Sequence, residues 1–198
     1  MPDMSCMEGL DGLDHKIFDV LKAYCRIPSI TGTPGETLVP EFFRQYLDHL
    51  PYYQDNPDHL GTWRIEKDTL GRQVCWAMIR GGSDRTCVLI HHSDVVVTDN
   101  FGQFKDLALD PVRLETALMA DPHMLDPEAR KDLFSGQWLF GRGTADMKGG
   151  GAIQLALFDT YARLSQDQRR TLPTLILLAL PDEENLSSGM RSGVGLLC

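Results

Sequence analysis

The sequence predicts an α/β domain with a mixed, largely parallel sheet and helices on both faces. Late in the chain, a helical pattern over residues 147–165 precedes the continuous apolar run "PTLILLAL" at 173–180, which is typical of a strand covered on both faces. Earlier, three short apolar or alternating segments follow one another like a meander. This combination of a meander with alternating helix and strand favours the mixed sheet.

Helical spacing marks the first elements of the chain. Apolar residues recur at this spacing over residues 12–26, which predicts an amphipathic helix. The following loop contains "TPGE" from Thr33 to Glu36, which has the spacing of a capping box with proline next to the cap. Apolar residues then continue at helical spacing from Leu38 to Leu50, and this predicts a second helix.

Three segments that are alternating or short and apolar predict strands: "TWRIEK" at 62–67, "QVCWAMI" at 73–79 and "TCVLIHH" at 86–92. The connection "SDRT" predicts a hairpin between the last two. Residues 98–136 are polar and contain prolines, so they are expected to form an insertion over the surface with one short helix at 127–133. "QWLF" at 137–140 is a further short strand candidate.

Composition limits the class of protein. With 198 residues, of which 42% are apolar and 24% charged, the chain is most simply one globular domain. Its net charge of -9 argues against nucleic acid or an anionic membrane as a partner. No run approaches the ~20 apolar residues of a membrane span. The acidic start has no hydrophobic signal core.

The cysteines point to a reducing compartment. They are odd in number, scattered, and without a C-x-x-C pair, so neither a disulfide framework nor a cysteine zinc site is expected. Reduced, buried thiols fit better, and together with the missing signal core they predict a cytoplasmic protein. The five cysteines are Cys6, Cys25, Cys75, Cys87 and Cys198.

Three clusters of acids or histidine follow predicted strands, at the position where open α/β sheets bind ligands. The first cluster is the H-x-D unit of His92 and Asp94. Residues two apart on an extended segment point to the same side, so Asp94 can fix the tautomer of a metal-binding His92. The alternative is an ordinary strand-end histidine with a solvated aspartate. His91 points to the other side and is expected to be structural.

The second cluster is the glycine-rich turn "GRGTADMKGGG" at 141–151. It does not fit a Walker loop, because Lys148 is followed by Gly149 and not by Ser or Thr. It does not fit a dinucleotide fingerprint either, because Asp146 stands where glycine is required. A carboxylate that faces a bound cation fits better. The alternative is a turn in which Asp146 caps the next helix.

The third cluster is "PDEEN", which places Glu183 and Glu184 after the buried strand. Uncompensated carboxylates there repel each other and resist desolvation, and a divalent cation relieves both effects. If the segment is extended, one glutamate can contact a metal while the other faces a water or substrate. The alternative is a solvated turn with acids at the next helix's N-terminus. Together the three clusters suit zinc, with manganese or cobalt as alternatives.

The motifs "HHSDVV", "GRGTADMKGG" and "PDEEN", in this order, resemble those of a dinuclear zinc hydrolase family. That family includes aminoacylases, carboxypeptidase G and succinyl-diaminopimelate desuccinylase. The sequences of the segments "IPSITGTPGE" and "PDEENLSSGMRS" are most similar to those of its arginine-utilisation branch. The resemblance implies a hydrolase with two zinc ions that cleaves an amide or peptide bond of an N-acyl amino acid or peptide. It also implies a place in arginine or amino-acid catabolism.

The resemblance further implies a role for each matching residue. His92 would bind one zinc, Asp94 would orient His92, Asp146 would bridge both zincs, and Glu184 would bind the second. Glu183 would be the general base that takes a proton from the attacking water and passes it to the leaving amine. The peptide bond after Asp146 would be cis.

Family members continue with a further acidic ligand, a dimerising lid domain and a late histidine ligand. The resemblance therefore implies that residues 1–198 are an N-terminal fragment, a partial catalytic domain that includes an insertion at 98–136. Such a fragment is expected to be inactive alone and to lack the lid through which a homodimer would form. The alternative function is a non-catalytic binding or regulatory module that keeps the fold. A phosphate- or nucleotide-binding protein ranks third, because its loop patterns fail.

Overall fold

A four-stranded sheet lies at the centre of the computed structural model, which describes residues 12–197. Its strands are β1 (Leu60–Arg64), β2 (Gln73–Ile79), β3 (Thr86–His92) and β4 (Thr174–Leu180). Their order across the sheet is β1-β2-β4-β3. β2 pairs antiparallel with β1 and with β4, and β3 pairs parallel with β4. The predicted mixed sheet is confirmed, but with one parallel pairing of three it is not largely parallel within the described range.

The strand order contradicts the predicted hairpin between residues 73–79 and 86–92. Both segments are strands with the predicted bounds, but β4 lies between them and pairs with each. Beyond Thr174, β4 is entirely apolar, and its residues Leu177 and Leu178, which point to opposite faces, are both buried. A strand that is apolar on both faces is best covered in the middle of a sheet. The late strand therefore separates two strands that are neighbours in sequence.

Eight helices are present in the described residues, and no helix among them is both long and apolar enough to cross a membrane. They are α1 (Leu13–Cys25), α2 (Val39–Leu47), α3 (Pro51–Asp55), α4 (Pro111–Ala120), α5 (Pro127–Ser135), α6 (Lys148–Ala162), α7 (Gln166–Arg169) and α8 (Ser188–Leu197). Short 3-10 segments lie at Pro34–Leu38, Pro57–His59, Asp99–Leu107 and Pro122–Met124.

Helices cover both faces of the sheet, as predicted. On one face, α1, α2 and α6 pack around the main core, which contains the fully buried rings of Tyr24, Phe43 and Phe158. On the other face, α8 contacts β2 and β4 beside a smaller apolar cluster that includes Val74 and Leu180. The sheet is therefore the middle layer of the domain.

The predicted capping box is formed only in part. The Thr33 hydroxyl accepts the N–H of Gly35 at 3.3 Å, as an N-cap residue does. The Glu36 carboxylate accepts the N–H of Gly32 at 2.8 Å instead of the N–H of Thr33, and it is buried. α2 then lies within the predicted range. Glu36 therefore makes a buried hydrogen bond to the loop and does not cap the start of a helix.

Residues 98–136 contain more helix than the sequence predicts. The expected short helix at 127–133 is present within α5, but α4 and the 3-10 segment Asp99–Leu107 precede it. The surface insertion with one helix is therefore an incomplete prediction, because the few buried positions of α4 give a weak periodic signal. Residues 137–140 do not form the expected strand. Three leucines form a small apolar cluster between α4 and α5: Leu114, Leu118 and Leu133.

α6 packs closely against β3 and is tied to α1. A Cβ atom at Gly151 would lie 2.7 Å from the ring of His91, so glycine permits this approach. The Lys148 side chain is fully buried, and its Nζ donates to the carbonyl oxygens of Tyr24 at 3.1 Å and Ile27 at 2.7 Å. Burial lowers the pKa of Lys148 to about 8. The start of α6 is thereby fixed to the end of α1.

The buried face of α6 agrees only in part with its apolar spacing, which runs through Ile153, Leu157, Tyr161 and Leu164. Ile153 and Leu157 are exposed by 56% and 37%, whereas Tyr161 is buried and Leu164 packs against the main core. Leu155 and Phe158 are fully buried. Because α6 is apolar on most of its circumference, the spacing predicts a helix without indicating which face meets the sheet.

The described cysteines are free thiols, and two of the three are buried. Cys25 and Cys75 lie in the main core, whereas Cys87 is exposed. Burial raises the pKa of the Cys25 thiol to about 11, which keeps it protonated and unreactive. The expectation of reduced, buried thiols is thus met by Cys25 and Cys75. Cys6 and Cys198 lie outside the described residues.

We expect Gly151→Ala to destabilise the fold by about 1–3 kcal/mol, because its Cβ has no room beside the buried His91 ring. The better helix propensity of alanine, about 1 kcal/mol, opposes this effect but is smaller. Urea unfolding measures the difference. Gly150→Ala is the matched control, since the atom nearest its Cβ is the flexible end of Met147 at 3.1 Å. Equal stability of the two variants would contradict the close approach of α6.

Candidate metal centre

The acidic and histidine residues identified in the sequence lie together at the carboxyl ends of β3 and β4. β3 ends at His92, its parallel neighbour β4 ends at Leu180, and the N–H of Ser93 donates to the Leu180 carbonyl at 2.8 Å. The segments that follow the two strands therefore leave the sheet side by side. The turn before α6 brings Asp146 to the same place, within 2.9 Å of His92.

Asp94 holds these segments together. Its carboxylate is fully buried and accepts the N–H groups of Glu183 at 3.0 Å and Glu184 at 3.1 Å. It also accepts the hydroxyl of Thr31 at 2.8 Å. Burial by itself raises the pKa of Asp94, but these donors and the neighbouring His92 ring outweigh burial and lower it. Asp94 is therefore an anchored anion that fixes the backbone of both glutamates.

The His92 ring lies between two acceptors. Its Nδ1 is 3.0 Å from the backbone carbonyl oxygen of Asp94, which can only accept, so Nδ1 carries a proton. Its Nε2 is 2.9 Å from Asp146 Oδ1, and that short contact requires a proton or a cation between the two atoms. Burial lowers the pKa of His92, but hydrogen bonds with Asp94 and Asp146 outweigh it and raise the pKa to about 9. The sequence predicts that Asp94 orients the His92 ring. Asp94 does so through its backbone carbonyl oxygen, because its carboxylate is 3.6 Å from Nδ1, too far for a hydrogen bond.

Three side chains of the types that zinc accepts converge at this point. One atom each from His92, Asp146 and Glu184 lie within 4.8 Å of one another. Zinc binds nitrogen and oxygen at about 2.0–2.2 Å, so small side-chain movements bring all three within reach of one ion. Asp146 is free to make such a movement, because its side chain is 79% exposed. Burial, together with the Asp146 charge, raises the pKa of Glu184. The donor set fits a divalent cation.

Glu183 and Glu184 reach the site from a turn and not from an extended strand. This acidic turn consists of Asp182, Glu183 and Glu184. It starts at Asp182, whose φ of 68° is in the left-handed region. The alternation of sides that applies to an extended segment is therefore absent here. Oε2 of Glu183 lies 3.9 Å from His92 Nε2, and its side chain is about half exposed. Glu184 thus belongs to the group of atoms that could bind a cation, and Glu183 lies beside that group on the solvent side.

The residues next to the ligand atoms agree with the expectations from the sequence. The peptide bond between Asp146 and Met147 is cis, as the resemblance implies. Asp146 does not cap α6, whose N-cap residue is Met147. His91 points into the core, with Nε2 3.1 Å from the Tyr24 hydroxyl and Nδ1 2.8 Å from Gln154 Oε1. Burial lowers the pKa of His91 to about 4, so this histidine is neutral and structural, as predicted.

Several residues that support the site lie outside the three sequence clusters or have no predicted role in them. Thr31 binds Asp94 from the loop after α1, and Lys148 anchors the start of α6. Glu36 and Arg72 contact Asp182 at the start of the acidic turn. Their partners lie 63 to 146 positions away in the chain, so no local spacing distinguishes them from other residues.

Comparison with known proteins identifies relatives of this chain. Residues 123–197 match the family model described as Peptidase family M20/M25/M40. The chain is 34% identical to protein RocB of Bacillus subtilis over 174 residues, which are 86% of this chain and 30% of RocB. It is 32% identical to uncharacterized protein YqjN of the same organism over 183 residues, 92% of this chain and 32% of YqjN. The chain therefore spans about a third of the length of these relatives.

A solved structure supports the fold. The crystal structure of human carnosine dipeptidase 1 superposes with a TM-score of 0.60 at 17% sequence identity. The match covers 98% of this chain and 38% of the human protein. At this identity the likeness establishes the α/β architecture and no further property.

We expect the metal-free chain to lose stability as the pH rises from 6.5 to about 9. The folded pKa of His92 is raised to about 9, above its ordinary 6.5, so its stabilising contribution is complete below pH 6.5 and is lost as the pH passes the folded pKa. Because Asp146 is largely exposed to water, we expect the loss to be roughly 1–2 kcal/mol.

Urea unfolding in the presence of a chelator gives the free energy of unfolding at several pH values. The difference between the pH profiles of the unmodified chain and of His92→Gln measures the contribution of His92. The control variant is His49→Gln, which alters an exposed histidine outside the site. A pH profile for His92→Gln that matches the unmodified chain would contradict the assignment.

Proposed function

The chain belongs to peptidase family M20/M25/M40, and we propose that it is part of a zinc-dependent hydrolase that cleaves amide or peptide bonds. Family membership supports hydrolysis of such bonds. The observation that carries the zinc proposal is His92 Nε2 facing Asp146, with Glu184 within 4.8 Å. The proposed substrate is an N-acyl amino acid or peptide. The similarity of the chain's motifs to the arginine-utilisation branch supports a place in arginine or amino-acid catabolism. The free thiols of Cys25, Cys75 and Cys87 support a location in the cytoplasm.

His92, Asp146 and Glu184 are the proposed metal-binding residues. One imidazole and two carboxylates suit zinc, with cobalt or manganese as alternatives. The resemblance implies two ions, and Asp146 would help to hold both. When bound, zinc supplies Lewis-acid chemistry at the substrate carbonyl. The Nδ1–H of His92 donates to the backbone carbonyl of Asp94, so Nε2 is the ring nitrogen that would bind the metal in place of its proton.

Glu183 is the proposed general base. It is half exposed beside the ligand atoms, so its carboxylate can reach a water molecule at the site. It takes a proton from that water as the water attacks the carbonyl carbon, and it passes the proton to the nitrogen of the leaving amine. Asp94 is fully buried and holds the Glu183 backbone, so its proposed contribution is to position the base.

We propose that turnover requires a longer protein than this chain. The chain spans 30% of RocB and 32% of YqjN. Catalytic zinc sites usually have three protein ligands, whereas two ions that share His92, Asp146 and Glu184 would each have at most two. The resemblance implies that further ligands and a dimerising lid lie elsewhere in the full-length protein, with 98–136 as an insertion. We therefore expect slight or no turnover from the 198-residue chain alone.

In the full-length protein, we expect Glu183→Ala to keep its zinc and to lower kcat by about 10²–10⁴-fold, because the change removes the base but no ligand. Elemental analysis measures the bound metal, and release of amine from an N-acyl amino acid or dipeptide measures turnover. Glu66→Ala removes an exposed carboxylate outside the site and is expected to change neither.

Normal turnover by Glu183→Ala would exclude Glu183 as the base. If the unmodified full-length protein bound zinc without hydrolysing any such substrate, the alternative of a binding or regulatory module would be favoured.

A further inference from the structure

A buried charge cluster lies directly behind the candidate metal centre. It consists of Glu36, Asp68, Arg72 and Asp182. Glu36 is 2% exposed, Asp182 1% and Arg72 8%, which is unusual for charged residues. Such groups are costly to bury unless each is paired. Their position beside the acidic turn is therefore a feature that calls for a physical reason.

Arg72 is the centre of the buried charge cluster. Its Nη1 lies 2.7 Å from Asp182 Oδ1 and 3.2 Å from Glu36 Oε2. Its Nη2 lies 2.6 Å from Asp68 Oδ1, and its Nε donates to the same oxygen at 2.9 Å. One planar guanidinium thus bonds to three carboxylates from three segments of the chain. Lysine has the same charge but cannot reproduce this planar set of donors.

Glu36 bonds to the backbone of the acidic turn. Its Oε1 accepts the N–H of Asp182 at 2.9 Å, and its Oε2 accepts the N–H of Gly32 at 2.8 Å. Both oxygens are therefore occupied by N–H donors, and Oε2 also accepts from Arg72. An amide in place of this carboxylate would turn an N–H₂ group toward one of these donors, because glutamine has one acceptor oxygen. The contact is specific for a carboxylate.

These contacts hold the residue of the turn that precedes the two bound by Asp94. Asp182 has a left-handed φ of 68°, which a residue other than glycine adopts only when its surroundings favour it. Its backbone N–H is bound by Glu36 and its carboxylate by Arg72. The next two N–H groups, of Glu183 and Glu184, are bound by Asp94. Three consecutive N–H groups are therefore fixed by two buried carboxylates, Glu36 and Asp94.

We propose that Glu36 and Arg72 are positioning residues of the hydrolytic site. They hold the turn at Asp182 so that Glu184 lies among the ligand atoms and Glu183 lies beside them. Neither residue touches the reacting atoms, and both act through the backbone and side chain of Asp182. The inference rests on the proposed function for its consequence in catalysis, but the ordering of the turn is measurable without it.

The matched control for this proposal is another buried carboxylate with a structural role. Asp159 is 4% exposed and is paired with Arg163 at 2.9 Å and with Lys16. It lies in the last turn of α6, at the end of that helix away from Asp146. Asp159→Asn therefore removes a buried charge in the same way as Glu36→Gln, but it leaves the acidic turn untouched.

The experiment compares Glu36→Gln, Arg72→Lys and Asp159→Asn with the unmodified 198-residue chain. Urea unfolding gives global stability, calorimetry with zinc gives metal affinity, and NMR hydrogen exchange gives protection of the Glu183 and Glu184 amides. We expect Glu36→Gln to weaken zinc binding by about 10–100-fold and to speed exchange of both amides by about tenfold or more. Arg72→Lys is expected to have the same effects at smaller size, and Asp159→Asn to lose stability without either effect.

The outcomes separate this inference from the proposed function. If Glu36→Gln and Arg72→Lys match Asp159→Asn in zinc affinity and amide exchange at equal stability, the positioning role is overturned. If neither the unmodified chain nor the full-length protein binds zinc, the zinc proposal is overturned, while the amide exchange still decides whether the turn depends on Glu36 and Arg72. Arg72→Lys, which keeps the buried charge, provides the same comparison if Glu36→Gln does not fold.

Discussion

The buried carboxylate of Asp94 is the constraint on which the rest of the site depends. A carboxylate is stable in the interior only when donors fill its acceptor positions. Here the donors come from two distant segments, the loop with Thr31 and the turn with Glu183 and Glu184. Satisfying this anion places the loop after α1 and the turn after β4 at the end of β3. The polypeptide therefore orders the glutamates through their backbone.

The sheet and α6 bring the ligand side chains to that anion. β3 and β4 are parallel neighbours, so their carboxyl ends coincide, and His92 and the acidic turn emerge at the same edge. The turn before α6 supplies Asp146, and the helix holds this turn in place because Gly151 lets it approach β3 and because Lys148 ties its start to α1. Main-core packing and the buried anchors Asp94 and Lys148 thus set the separation of the atoms that are proposed to bind metal.

The buried charges of Glu36, Arg72 and Asp182 fix the position of the acidic turn more than they stabilise the fold. Replacing a buried ion pair by apolar side chains is often neutral or stabilising, so the pairing of Arg72 with Glu36 and Asp182 is weak grounds for a stability role. These groups instead provide directional bonds, which an apolar contact cannot. They hold Asp182 in a left-handed conformation, and that conformation turns both following glutamates toward His92.

The sequence by itself determined the positions of β2, β3, β4, α1, α2 and α6 and the residues that meet at the site. It placed the first strand at 62–67 instead of Leu60–Arg64, missed α4 and wrongly predicted a strand at 137–140. Periodicity and strand-end position are local properties, so 73–79, 86–92 and the three clusters could be identified without a structure. The tertiary structure alone decided that β4 separates β2 from β3, which face of α6 is buried, and that Glu36 and Arg72 support the acidic turn. Those features depend on partners far away in the chain and on which apolar surfaces meet, and no local pattern encodes either.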